Sequence, residues 1–231
     1  MKTLAITTDN RFASGLAKIC SNVERLFSKE NSIDIKKKVK DSRTSLEIKI
    51  GDSSLERRVY SVLVNQLARL LITDAKSLYI QNNMRLVIPD EVNRQAFVHA
   101  LSSFDKETDL LIAKSLLVLT PHFALDSFYD FRVQPLKKRW QEVVHLANDN
   151  QAYLVCPRTF CELLRFLISN IDSQCDEVHI KEQICDVNGM SKIITRLIDL
   201  APRKIVVHEG CNAQLATKIK TLFGKTVVSG G

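Results

Sequence analysis

The chain has 231 residues, with 33 Lys plus Arg against 26 Asp plus Glu, a formal net charge of +7. Apolar residues make up 45% and charged residues 26%, globular proportions that exclude a disordered, collagenous or low-complexity chain. The longest run without a charge, Ser115 to Leu125, is 11 residues, about half of the ~20 that a membrane helix needs.

Residues 2–8 read as a short strand. A helix follows from Ser14 to Ser28, with Leu16, Ile19, Val23, Leu26 and Phe27 at helical spacing. Period-two alternation then takes over. Ile33, Ile35 and Val39 share one face, and Leu46, Ile48 and Ile50 continue it after a turn near Asp41-Ser42-Arg43, which predicts a β-hairpin. Lys36, Lys38 and Lys40 fall on the wet face, and Lys37 on the apolar face near an edge. A long helix capped by Ser53 or Ser54 carries Leu55, Val59, Val62, Leu63, Gln66, Leu70 and Leu71 on one stripe.

Residues 85–88 read as a brief extended piece closed by Pro89. Asp90 starts a helix, and Asp105 caps another that runs to about Leu119, where Thr120-Pro121 stops it. The helical pattern from Asp126 to Asn148 is interrupted at Pro135, which predicts a kink or two consecutive helices. Another helix covers 158–170, with Pro157 in its first turn. The final 60 residues change character. Val178-His179-Ile180 and Ile184 to Val187 read as a small hairpin. A helix carries Met190, Ile193, Ile194, Leu197 and Ile198 up to Pro202. Ile205 to His208 is a buried strand, and Leu215 to Phe223 a helix closed by Gly224. Val227-Val228 is a last short strand, so residues 204–228 predict a parallel pair with a crossover helix.

Charge is uneven along the chain. Residues 1–50 hold 11 basic and 6 acidic groups, residues 51–189 hold 15 and 18, and residues 190–231 hold 7 and 2. Basic ends around an acidic middle fit either a polyanion-binding surface or two ordinary solvated faces. The first ten residues are too broken for the apolar core of a secretory leader, which predicts a cytoplasmic protein. In that reducing compartment Cys20, Cys156, Cys161, Cys175, Cys185 and Cys211 are expected to be free thiols packed as small hydrophobes.

Motifs for chemistry are sparse. None of the seven glycines falls in a nucleotide-cradling spacing, and no G-x-S-x-G elbow or H-E-x-x-H helix is present. Cys156, Cys161, His208 and Cys211 offer an acceptable zinc donor set, but packing accounts for them more simply. Lys36, Lys37, Lys38 and Lys40 are the candidate nucleic-acid contacts; the competing reading is a lysine-guarded sheet edge. Lys137-Lys138-Arg139 reads as a wet face with Trp140 turned inward. None of His99, His122, His145, His179 and His208 has a carboxylate at a spacing that suggests a relay. Asp126 and Asp130, one helical turn apart, read as ordinary surface carboxylates.

Three stretches together resemble a family. They are Phe128-Tyr129-Asp130-Phe131-Arg132; Phe160 to Leu167 followed by Asp176 to Ile180; and Leu197 to His208 with Leu222-Phe223-Gly224. They are similar to the YtxC-like sporulation proteins of endospore-forming bacteria, over about residues 125–228. The resemblance implies a process, endospore formation, and a cytoplasmic location, but no reaction. Relatives carry cysteines after the last strand where this chain has Val227-Val228-Ser229-Gly230-Gly231, so no metal or thiol role follows from it.

The expectation is an α+β protein. It has an N-terminal strand–helix–hairpin unit with a long helix (1–84), a mainly helical centre (85–171) and a small C-terminal α/β unit (172–231), or these pack as one compact body. The expected role is a non-enzymatic sporulation-associated protein that needs no cofactor and acts through contacts with a protein partner. The alternatives are a nucleic-acid-binding module using the basic ends and a metal- or thiol-dependent enzyme.

Overall fold

The computed structural model describes residues 2–85, 87–88, 90–151 and 156–230. In chain order the elements are β1 (Lys2–Thr8), α1 (Ala13–Leu26), β2 (Ile33–Lys40), β3 (Arg43–Ile50) and α2 (Glu56–Leu70). A π-helical turn, Leu71–Ala75, leads into α3 (Lys76–Asn83), then α4 (Glu91–Ser103) and α5 (Lys106–Leu116). β4 (His122–Ala124), α6 (Leu125–Phe131), α7 (Gln134–Asp149) and α8 (Pro157–Ser169) follow. The chain finishes with β5 (Glu177–Ile180), α9 (Val187–Leu200), β6 (Lys204–His208), α10 (Ala213–Phe223) and β7 (Val227–Gly230). The fold is α+β.

Two compact units emerge, each made of two chain segments. The first comprises residues 1–79 and 105–140, the second residues 80–104 and 141–231. They differ from the three consecutive stretches read from the sequence. The residues expected to form a helical centre are divided between two cores, because helical periodicity marks which face is buried but not against what.

The first unit is built on a four-stranded sheet of order β2-β3-β1-β4. β1 pairs antiparallel with β3, placing Leu4 opposite Ile48 and Ile6 opposite Leu46, all buried on one face. The β2–β3 hairpin turns at Asp41 and Ser42, both at positive φ, which is the two-residue turn whose twist suits a hairpin. On the other side of β1 lies β4, parallel, with Ile6 opposite Phe123. This strand is missing from the sequence reading: three residues are too few to show alternation, and it forms only through a long-range partner. α1 packs on the sheet and α2 packs on α1, and Leu16, Val23, Leu63 and Leu67 join the same core.

The second unit contains a three-stranded parallel sheet of order β5-β6-β7. Val178, Ile205 and Val227 are in register across it. The parallel pair with a crossover helix is therefore present, and β5 extends it. The hairpin expected at 178–187 is not formed. Asp186 instead accepts from the Gly189 N–H as the N-cap of α9, and Ile184 packs so closely on Gly189 that a Cβ there would overlap it. An apolar residue beside a helix start belongs to the cap rather than to a strand. Phe97, Phe160, Leu164, Ile194, Ile198 and Ile219 form the heart of this core.

Smaller departures concern helix ends. Asp52, not a serine, accepts from Ser54 N–H at the start of the turn before α2. Asp90 caps α4 as expected, by accepting from Asn93 N–H. Asp105 sits at positive φ and makes no side-chain cap, and α5 ends at Leu116, earlier than expected. Pro135 lies in the first turn of α7, so the two consecutive helices form. In the stretch 85–88, Arg85, Val87 and Ile88 have no regular structure, while Leu86 and the expected closing Pro89 lie outside the described residues.

Candidate functional site

The most ordered polar arrangement in the second unit lies on one face of its sheet. Alternation along β5 puts Glu177 and His179 on that face, and alternation along β6 puts Lys204, Val206 and His208 there. Parallel pairing sets His179 opposite Val206, so His208 is its diagonal neighbour across the strands. The two imidazoles meet, with His179 Nδ1 2.7 Å from His208 Nε2. The ring centroids are 5.0 Å apart and the planes 28° apart. Most of the gap beyond the N···N distance is taken up by the ring radii, so the rings lie edge to edge.

Proton positions follow from the carboxylate. His179 Nε2 is 2.8 Å from Glu177 Oε1, and a carboxylate only accepts, so Nε2 carries a proton. In neutral His179 the Nδ1 atom is then an acceptor, and His208 Nε2–H donates to it. This leaves a lone pair on His208 Nδ1. Glu177 also takes a bond from Lys204 Nζ at 2.8 Å, and this cation, then His179, holds its carboxyl below the ordinary glutamate range. The result is a chain of donors that converges on the carboxylate: His208 donates to His179, and His179 and Lys204 both donate to Glu177. Opposite His208, Gly230 leaves room: a Cβ there would lie 3.2 Å from His208 Nδ1 and 2.6 Å from a Val206 methyl.

This corrects the sequence reading of the histidines. His179 has a carboxylate two residues away on the same strand face, a spacing that only a strand makes adjacent. His208 reaches it through strand pairing. His99 on α4 likewise lies 2.9 Å from Asp199 on α9. Such a chain can orient an imidazole as a proton acceptor. The described contacts bring no nucleophile to His208.

The zinc candidates do not converge. Cys156 is exposed at the start of α8, where the Thr159 and Arg158 N–H groups hold its thiol below the usual value. Cys161 is buried within that helix, and burial pushes its thiol up. Cys211 is half-buried, its Sγ 3.7 Å from Asn212 O, and burial raises it too. His208 is committed to His179. Among the described residues no group of three or more His, Cys, Asp or Glu is arranged to hold a metal ion.

The lysine run sits on β2, the edge of the first sheet. Lys36 pairs with Asp34 at 2.9 Å, Lys38 with Glu47 at 2.6 Å, and Lys40 lies 3.9 Å from Asp41. Lys37 is exposed with them. Carboxylates thus sit beside three of the four cations, an arrangement that suits a guarded edge. Asp126 and Asp130 are also taken up by cations. Arg43 holds the first at 2.9 Å, and the Arg11 fork holds the second through two bonds of 2.9 Å.

Lys137-Lys138-Arg139 is not simply a wet face. Lys137 lies over the Tyr129 ring at 4.1 Å, and Arg139 bends inward to Asp109. That carboxylate is 1% exposed and accepts three bonds: from Lys76 Nζ at 2.8 Å, Trp140 Nε1 at 2.9 Å and Arg139 Nε at 3.1 Å. Lys76 is equally buried, and desolvation holds its ammonium below the ordinary lysine value against the pull of Asp109. No sequence signal marked this cluster beyond a lysine and an aspartate among apolar helical residues. It is closed over, and its bonds tie α3, α5 and α7 together.

No described helix is long and apolar enough to cross a membrane. Comparison with family models, with curated proteins and with solved structures returns no match.

Proposed function

We propose that this is a cytoplasmic sporulation-associated protein, akin to the YtxC-like family, that works through contacts with a protein partner and not through catalysis. The observation that carries the reading is the placing of two phenylalanines in the stretches on which the resemblance rests. Phe128 and Tyr129 enter the first core, while Phe131 stands 76% exposed. Phe160 and Leu164 enter the second core, while Phe166 stands 59% exposed. Neither outward ring is needed for the fold at those positions. Burying such a side chain against a partner contributes about 1.5–3 kcal/mol. The groups most suited to chemistry support the same reading, because Asp109 and Lys76 bond each other in the first unit, and Glu177 and His179 bond each other in the second.

The test is genetic. In an endospore-forming host that carries the gene, deletion should lower heat-resistant spore counts at least about tenfold. The wild-type gene should restore them, and the Phe131→Ser, Phe166→Ser double variant should not. The purified double variant should melt close to the wild-type temperature, since exposed sites contribute little to stability. Normal spore counts after deletion would sink the proposal.

A further inference from the structure

The second unit has a pocket of about 190 Å³ beside the amino ends of its three strands, away from His208. Its inner wall is apolar: Ala201, Pro202, Leu222 and Phe223 are buried, and Ile168 and Ile171 half-buried. Ala201 ends α9 at a φ of 39°, and this left-handed turn, followed by Pro202, aims the chain into β6 and opens the pocket behind it. Arg165, Ser169 and Ser173 stand exposed at the mouth.

Size narrows the occupant. Sites for metabolites run to roughly 300–1,000 Å³, whereas a cavity of ~150 Å³ accepts benzene. A pocket between these values takes a group about the size of a benzene ring, which one bulky apolar side chain supplies. Charge narrows it further. Arg165 spends one N–H on Thr221 O at 2.5 Å and has no carboxylate partner among the described residues. Lys225 and Arg203, the latter already beside Asp176 at 3.3 Å, flank the lining residues Thr226 and Pro202, and residues 190–231 carry 7 basic against 2 acidic groups.

We propose that this pocket docks one bulky apolar side chain of an acidic partner segment, with the Arg165 guanidinium pairing a carboxylate beside it. The proposal rests on the reading that the protein acts through protein contacts, and names the chemistry of one such contact. The serine hydroxyls are compatible with it: Ser169 donates to Phe166 O and Ser173 to Cys175 O, which leaves their oxygens as acceptors for partner N–H groups.

The full-length chain with labelled isoleucine methyls is titrated with the peptide acetyl-Asp-Asp-Phe-Asp-Asp-amide. The Ile168 and Ile171 signals should shift and saturate. Acetyl-Asp-Asp-Gly-Asp-Asp-amide and acetyl-Lys-Lys-Phe-Lys-Lys-amide should bind at least about tenfold more weakly. Arg165→Glu should weaken the acidic phenylalanine peptide at least tenfold, and Arg165→Lys less, because a lysine keeps the charge but not the fork. Arg165→Lys also guards against a folding defect in the reversal. Absence of saturable shifts, or any smaller discrimination between the peptides, overturns the proposal. Failure here with loss of sporulation in the phenylalanine variants would discard the pocket alone. Normal sporulation after gene deletion with selective peptide binding would discard the biological role alone.

Discussion

Asp109 shows how much one side chain can organise. Its carboxylate is buried and accepts from Lys76, Arg139 and Trp140. Removing it takes the counter-charge from a buried ammonium and an acceptor from the indole N–H. Asp109→Ala should therefore destabilise the first unit by about 3–5 kcal/mol, read as a drop in the urea midpoint. The double variant Lys76→Met, Asp109→Leu removes both charges. It should recover part of that loss, falling short by the roughly 1–3 kcal/mol of an unsatisfied Trp140 N–H. If the double variant is no more stable than the single one, the loss does not come from the buried lysine charge. At the same scale, the inward turn of Trp140 was legible from its spacing. The inward bend of its neighbour Arg139 was not, because a flexible side chain goes where a carboxylate waits, and Asp109 lies on another helix.

At the scale of elements, local patterns served well where neighbours in sequence decide the outcome. The hairpin, its turn and most helices follow from spacing, caps and prolines. β4 and the pairing of β5 with β6 do not, since their hydrogen bonds come from distant chain. The hairpin turn is itself improvable. Asp41 and Ser42 both adopt positive φ, at 48° and 62°, where L-residues other than asparagine and aspartate are strained. The pair Asp41→Asn, Ser42→Gly matches the turn's preferred residues. It should stabilise the first unit by about 0.5–1 kcal/mol, measured as a raised melting temperature. A lowered temperature would show that the turn is held by something other than its own backbone.

Across the whole molecule, many carboxylates are held below their ordinary values. The Arg11 fork does this to Asp130, Lys38 to Glu47, Gln95 and Arg94 to Glu91, and Lys204 to Glu177. A carboxylate with a lowered native value favours the folded state above its unfolded value, near pH 4, and loses that contribution as pH falls through the native value. The urea midpoint should thus hold between pH 7 and about pH 5 and fall by pH 3. A midpoint unchanged at pH 3 would refute the argument.

Composition, spacing and punctuation were enough to specify an α+β chain, its hairpin, its amphipathic helices and the final strand–helix–strand. Each of these is settled by residues within a turn or two of one another. Pairing over long separations decided the rest: the division of the helices between two cores, the buried Lys76–Asp109 contact, and the meeting of His179 with His208. Burial and strand register bring such groups together, and neither quantity is written in the spacing of any single segment.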